Sequence, residues 1–184
     1  MELIKNIKEI SLVKNLFFAV LGSIILAVSA KMKIPFWPVP MTMQTFVVLL
    51  IGLMYGWKLG LFTVSLYLIE GVAGLPVFAG TPEKGVGIIY FTGPTMGYLI
   101  GFLFAVFFSG FFSFSKNFVL NFIKLLFSVS FIYLIGLIWL GFLIGWDKPV
   151  FELGAQPFLL AEIFKILLLT LLIPKILKFN EEIF

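Results

Sequence analysis

Two residues stand out because an apolar helix has little reason to carry them. In PFLLAEIFKILLL, Glu162 and Lys165 are three positions apart. On a helix that spacing puts both on nearly one face, where they either pair with each other or grip one polar ligand together. Counted from Pro157, Glu162 lies about 7 Å into its segment at ~1.5 Å per residue, shallow enough to be reached from one side of a membrane. A charge at the centre of a bilayer costs at least about 2.5 kcal/mol, so an ionisable group inside an apolar span marks a pathway or a site. Glu70 falls at a comparable depth in another apolar segment. It either borders the same cavity or snorkels to the surface. Polar and aromatic residues near these three supply a wall: Trp37, Thr42 and Gln44, then Phe78, Tyr90 and Phe91, then Tyr98. An apolar wall with a few placed hydrogen-bonding groups is the usual make-up of a small-molecule site, although interfacial aromatics also serve as membrane belts.

Little other chemistry is available. The chain has no cysteine and no histidine, which removes disulfides, thiol nucleophiles, imidazole acid–base work and most transition-metal sites. All 13 basic residues are lysine, so no bidentate guanidinium clamp exists. The nearest thing to a phosphate loop, GTPEKG at 80–85, is followed by Val86 and Gly87 where Lys and Ser or Thr would have to stand. A net charge of +4 gives nucleic-acid binding little support.

The elements that must position Glu162 and Lys165 are set by hydropathy. Of 184 residues, 61% are hydrophobic and 12% charged, and the mean hydropathy is +1.16. A water-soluble domain of this length has nowhere to hide so much apolar surface, so the expected fold is a single all-α integral membrane domain over 1–184. Six spans are expected, at about 15–30, 43–55, 57–72, 92–112, 118–144 and 157–177. The second and third are short and joined only by Gly56-Trp57-Lys58, so they must be antiparallel. Residues 1–14 have the mixed-charge pattern of a short interfacial helix, and 73–91 form a loop too apolar to be solvated, expected to cover the site. Lysines near span ends number eight on one side (5, 8, 14, 58, 116, 124, 175, 178) and four on the other (31, 33, 84, 148). That bias places both termini in the cytoplasm and the proline-rich loops outside. Small residues recur every four positions at Gly52, Gly56 and Gly60, at Gly93, Gly97 and Gly101, and at Ala19, Ser23 and Ala27. Such ridges let helices approach closely. The third is the expected partner-facing surface, because the first span is the easiest to expose at a bundle's edge.

Three segments, VPMTMQTFVVLLIGLMYGWKLG, LYLIEGVAGLPVFAG and GPTMGYLIGF, together with the closing QPFLLAEIFK, resemble in order and spacing the BioY family, the biotin-specific S components of energy-coupling factor (ECF) importers. The resemblance covers roughly 34–174. It implies a six-helix, multi-pass protein of the bacterial plasma membrane that is not an enzyme and needs no cofactor. Its expected function is high-affinity biotin binding, with Glu162 and Lys165 contacting polar parts of the ligand and Tyr98, Gln44, Thr42, Phe91, Glu70 and Phe78 around it. Its partners would be a transmembrane coupling subunit and two cytoplasmic ATPases that use ATP, with Ala19, Ser23 and Ala27 resembling the contact surface for the coupling subunit. One departure is Glu162, where the family usually carries aspartate. Another small vitamin as ligand, or an ion-coupled carrier using Glu70 and Glu162, is the alternative within transport.

Overall fold

A computed structural model describes the chain apart from Met1, residues 35–37, Pro40 and Phe184; the side chains of 2–11, 34 and 179–183 are also outside the described set. Trp37 therefore lies outside the described residues. The helices are α1 Glu2–Lys31, α2 Gln44–Val72, α3 Met96–Phe111, α4 Phe118–Ile144, the short α5 Val150–Gly154, and α6 Leu159–Ile183. Two-residue strands, β1 Lys33–Ile34 and β2 Met41–Thr42, pair antiparallel beside the start of α2. Single 3-10 turns, Gly87–Thr92 and Gln156–Phe158, lead towards α3 and α6.

Helix α2 is two arms. Gly56 has φ 70 and ψ 172, inside what is otherwise helix, a conformation that a side chain would strain. The chain folds back there: Gln44 Nε2 donates to Tyr67 OH at 2.7 Å, whereas 23 residues of unbroken helix would hold them about 35 Å apart. A Cβ built on Gly60 would stand 3.6 Å from Gly52 Cα, so those two glycines form the seam of the hairpin. Counting the arms separately gives six apolar segments, the number expected. The ridge of Gly97 and Gly101 likewise serves contact within the chain, lying against Gly136 and Ile132 of α4.

The helix ends are cut where the sequence supplies the means. Asn117 caps α4, its side chain accepting from Leu120 N at 3.0 Å, which satisfies one of the orphan donors of the first turn. At the other end Gly145, at φ 94, turns the chain out of α4. Helix α1 is continuous from Glu2, so the lead-in expected as an interfacial helix joins the first span without a break in the helix. The core is apolar: Leu26, Val48, Val64, Leu125, Leu169 and Ile173 are fully buried. The outer faces are apolar too, as on α1, where Leu16, Phe17, Val20, Ile24 and Val28 are exposed. A bundle that is apolar inside and out is built for lipid.

One end of the bundle gathers the end of α1, both outer ends of the α2 hairpin, the start of α3, the end of α4 and the start of α6. Trp139 Nε1 reaching Gly93 O at 2.9 Å and Tyr98 OH reaching Gly154 O at 2.9 Å stitch it together. The opposite end holds the tip of the α2 hairpin near Gly110 and a cluster of phenylalanines, with Phe108 stacked on Phe131 at 4.6 Å. The start of α1 and the end of α6 lie towards that second end.

Candidate functional site

The first turns of α6 and of α2 meet at the loop-covered end of the bundle. Glu162 and Lys165 project from one face of α6, as three-residue spacing requires. Both are buried, at 5% and 8% exposure. Lys165 Nζ lies 2.8 Å from Glu162 Oε1. Its other donors go to α2 and β2, to Thr45 Oγ1 at 3.0 Å and Thr42 O at 2.6 Å. Thr45 in turn donates to Glu162 Oε1 at 2.8 Å. The three donors of the ammonium thus meet three protein acceptors.

The two oxygens of Glu162 are treated differently. Oε1 accepts from both Lys165 and Thr45, while Oε2 is buried and makes no hydrogen bond, alone in that among the described side chains. A carboxylate oxygen kept from water without a donor is costly, and each such atom in a folded protein calls for an explanation. Glu162 lines a cavity whose wall is mostly apolar or aromatic, including Met41, Tyr90, Tyr98, Phe102 and Phe158. Gln44, Thr45 and Thr95 supply its polar points. Tyr133 of α4 also lines it, its phenol a neighbouring donor beside the Glu162 carboxylate that does not close a hydrogen bond on Oε2. Because Lys165 balances the charge of Glu162, the cavity offers an acceptor with no net charge, suited to a neutral N–H donor on an otherwise apolar ligand.

Ala79 and Tyr90 of the 73–91 loop line the cavity. Phe78 is fully buried, stacked on Tyr90 at 4.9 Å and edge-on to Tyr67 at 5.3 Å and Phe91 at 5.4 Å. Tyr67 OH passes the hydrogen bond from Gln44 on to Val77 O at 3.2 Å. Tyr90 OH donates to Ala79 O at 2.6 Å. Burial raises the Tyr90 phenol above its usual range, so it stays a neutral donor. Lys31, from the last turn of α1, ties the loop down through Phe78 O at 3.0 Å and Thr81 O at 3.1 Å.

Of the residues singled out in the sequence, Thr42, Gln44, Tyr90, Tyr98 and Glu162 line the cavity. Lys165 stands behind Glu162. Phe78 and Phe91 belong to the packing of the 73–91 loop, with Tyr90 between them and the cavity. Glu70 is elsewhere: its Oε1 accepts from Ser23 Oγ at 3.0 Å in the seam between α1 and α2. Ser23 is also the centre of the small-residue ridge Ala19, Ser23 and Ala27, so one face of that ridge lies in the same seam. Ala19 and Ser23 are fully buried inside this chain, and Ala27 packs against its core. Small side chains here let α1 lie close on α2. Sequence reasoning missed Thr45 and Tyr133. Thr45 follows Gln44 directly, and Tyr133 is a polar group in the middle of an apolar span, a signal that was there to be used.

The model of the BioY family matches residues 4–182. A probable biotin transporter BioY from Pyrococcus horikoshii is 37% identical over 158 residues, which are 86% of this chain and 89% of that protein. The biotin transporter BioY of Thermotoga maritima is 31% identical over 170 residues, 92% of this chain and 99% of that one. Among solved structures, the S component for biotin from an ECF-type ABC transporter superposes with a TM-score of 0.76 at 28% identity, covering 91% of this chain and 93% of that chain. With nearly its whole length matched in both sequence and fold, this multi-pass membrane protein belongs to the BioY family.

Proposed function

We propose that this chain is the biotin-binding S component of an ECF-type importer. The observation that carries the proposal is Glu162 Oε2, a buried, unpartnered acceptor lining an apolar cavity. Biotin has the matching parts: a ureido ring whose N–H groups donate, a thioether ring and an aliphatic chain for the aromatic wall, and a carboxylate at the far end. Burying an N–H donor against Oε2 satisfies both partners at once. The chain is a binding subunit and not an enzyme. The import energy comes from partner subunits, a transmembrane coupling protein and two cytoplasmic ATPases, which family membership implies.

The lysine bias near span ends supports an orientation with the cavity outward and both termini in the cytoplasm. The chain contains no cysteine, so single cysteines at Lys84 and Lys116 can be labelled in intact cells with an impermeant maleimide. Labelling at 84 and not at 116 is expected, and the reverse pattern contradicts the orientation. The function itself is tested by titrating purified protein with biotin and with other water-soluble vitamins. Saturable one-to-one binding of biotin alone is expected; failure to bind it, or equal binding of another vitamin, rejects the proposal.

A further inference from the structure

Resting on that proposed function, we infer that Thr45 is a positioning residue, which together with Lys165 occupies both lone pairs of Glu162 Oε1 and so presents Oε2 alone to the ligand. The three side chains form a closed ring. Lys165 donates to Thr45 Oγ1 at 3.0 Å, Thr45 donates to Glu162 Oε1 at 2.8 Å, and Lys165 donates to the same oxygen at 2.8 Å. The direction of each bond is forced. An ammonium has only donors and a carboxylate only acceptors, so the hydroxyl between them must accept from Lys165 and give its single proton to Glu162.

The ring also sets the rotation of the carboxyl group. Glutamate's last torsion is broad and roughly two-fold, so with Lys165 alone the plane of the carboxylate is free to swing about one contact. A second donor, arriving from α2, removes that freedom. Thr45 is buried and comes from the first turn of α2, while Glu162 and Lys165 come from α6. The orientation of the acceptor is therefore coupled to the seating of the α2 hairpin against α6. Thr45 also lines the cavity, but its one proton is committed to Oε1, so its effect on an N–H ligand is exerted through Glu162.

The test uses full-length protein carrying Thr45→Val, Thr45→Ser, Glu162→Gln and the double variant Thr45→Val/Glu162→Gln. Thr45→Val keeps the shape and removes the hydroxyl; it is expected to weaken biotin binding about tenfold, the loss of one hydrogen bond to a charged group. Thr45→Ser restores the proton and is expected to restore affinity. In the Glu162→Gln background, Thr45→Val is expected to cost less than twofold more, because the group it positions has gone. A full tenfold cost in that background, or unchanged affinity in Thr45→Val, overturns the inference. A ligand-free measurement separates its failure from that of the biotin reading. The Glu162 carboxylate stretch, assigned in the infrared by subtraction of Glu162→Gln, is expected to shift in Thr45→Val and return in Thr45→Ser. If wild-type protein binds no biotin, the functional proposal falls while this shift still supports the positioning role, and no shift overturns it.

Discussion

Glu70 and Glu162 enter the bundle from the same end, each on an apolar helix, and the sequence separates them by the lysine three positions after Glu162. Their surroundings differ. Glu70 is half-buried in the seam of α1 and α2, where Ser23 donates to it. Glu162 is held by two donors on one oxygen and none on the other, in a cavity with aromatic walls. What separates the site from the seam here is that Glu162 keeps an unpartnered oxygen buried while Glu70 is half-exposed, since a carboxylate at membrane depth occurs in both. A seam can satisfy its polar groups fully, whereas a binding site must leave one for its ligand.

Substitutions at the two places should separate them sharply. Glu162→Gln places an amide where Lys165 and Thr45 both donate, and it is expected to weaken biotin binding about a hundredfold, at the upper end for hydrogen bonds to charged groups. Equal binding by the glutamine variant would remove the carboxylate from the site. Lys165→Ala should weaken binding at least tenfold in calorimetric titration while the protein stays monodisperse on gel filtration. The effect is indirect, through the carboxylate it releases, and unchanged affinity would leave the pair a purely structural one.

On the seam side, Ser23→Leu forces a large side chain between α1 and α2. Overpacking of this kind costs about 1–3 kcal/mol, so the expected result is a lower melting temperature in detergent with unchanged biotin affinity in the fraction that remains folded. Normal stability with lost co-purification of a coupling subunit would return the ridge to a partner-facing role. Glu70→Gln keeps an acceptor for Ser23, and its expected effect on biotin affinity is the smallest, below twofold. A loss as large as that of Glu162→Gln would erase the contrast between the two carboxylates.

How far the sequence went follows from which physical signals are local. Span positions are local sums of hydropathy, and 118–144 was legible to the residue because a capping Asn117 and a turning Gly145 bracket it. The hairpin at Gly56 was legible because three residues between two apolar runs leave no other path. Glu162 and Lys165 were legible because i,i+3 spacing places them together whatever surrounds them. Thr45 was not, since its value depends on the angle at which α2 meets α6, a property of packing. The ridge on α1 shows a similar limit: small residues signal close approach but carry no information about whether the approaching helix belongs to the same chain. The merging of 1–14 into α1 was equally hidden, because mixed charge fits an interfacial helix and a helical extension alike.

One oxygen atom, Glu162 Oε2, carries the proposed function, and a structure determined with biotin bound tests it most directly. The predicted result is a ureido N–H of the ligand about 2.7–3.2 Å from Glu162 Oε2, with Oε1 still held by Thr45 and Lys165. Biotin seated elsewhere, or bound with Oε2 still lacking a donor, would contradict it.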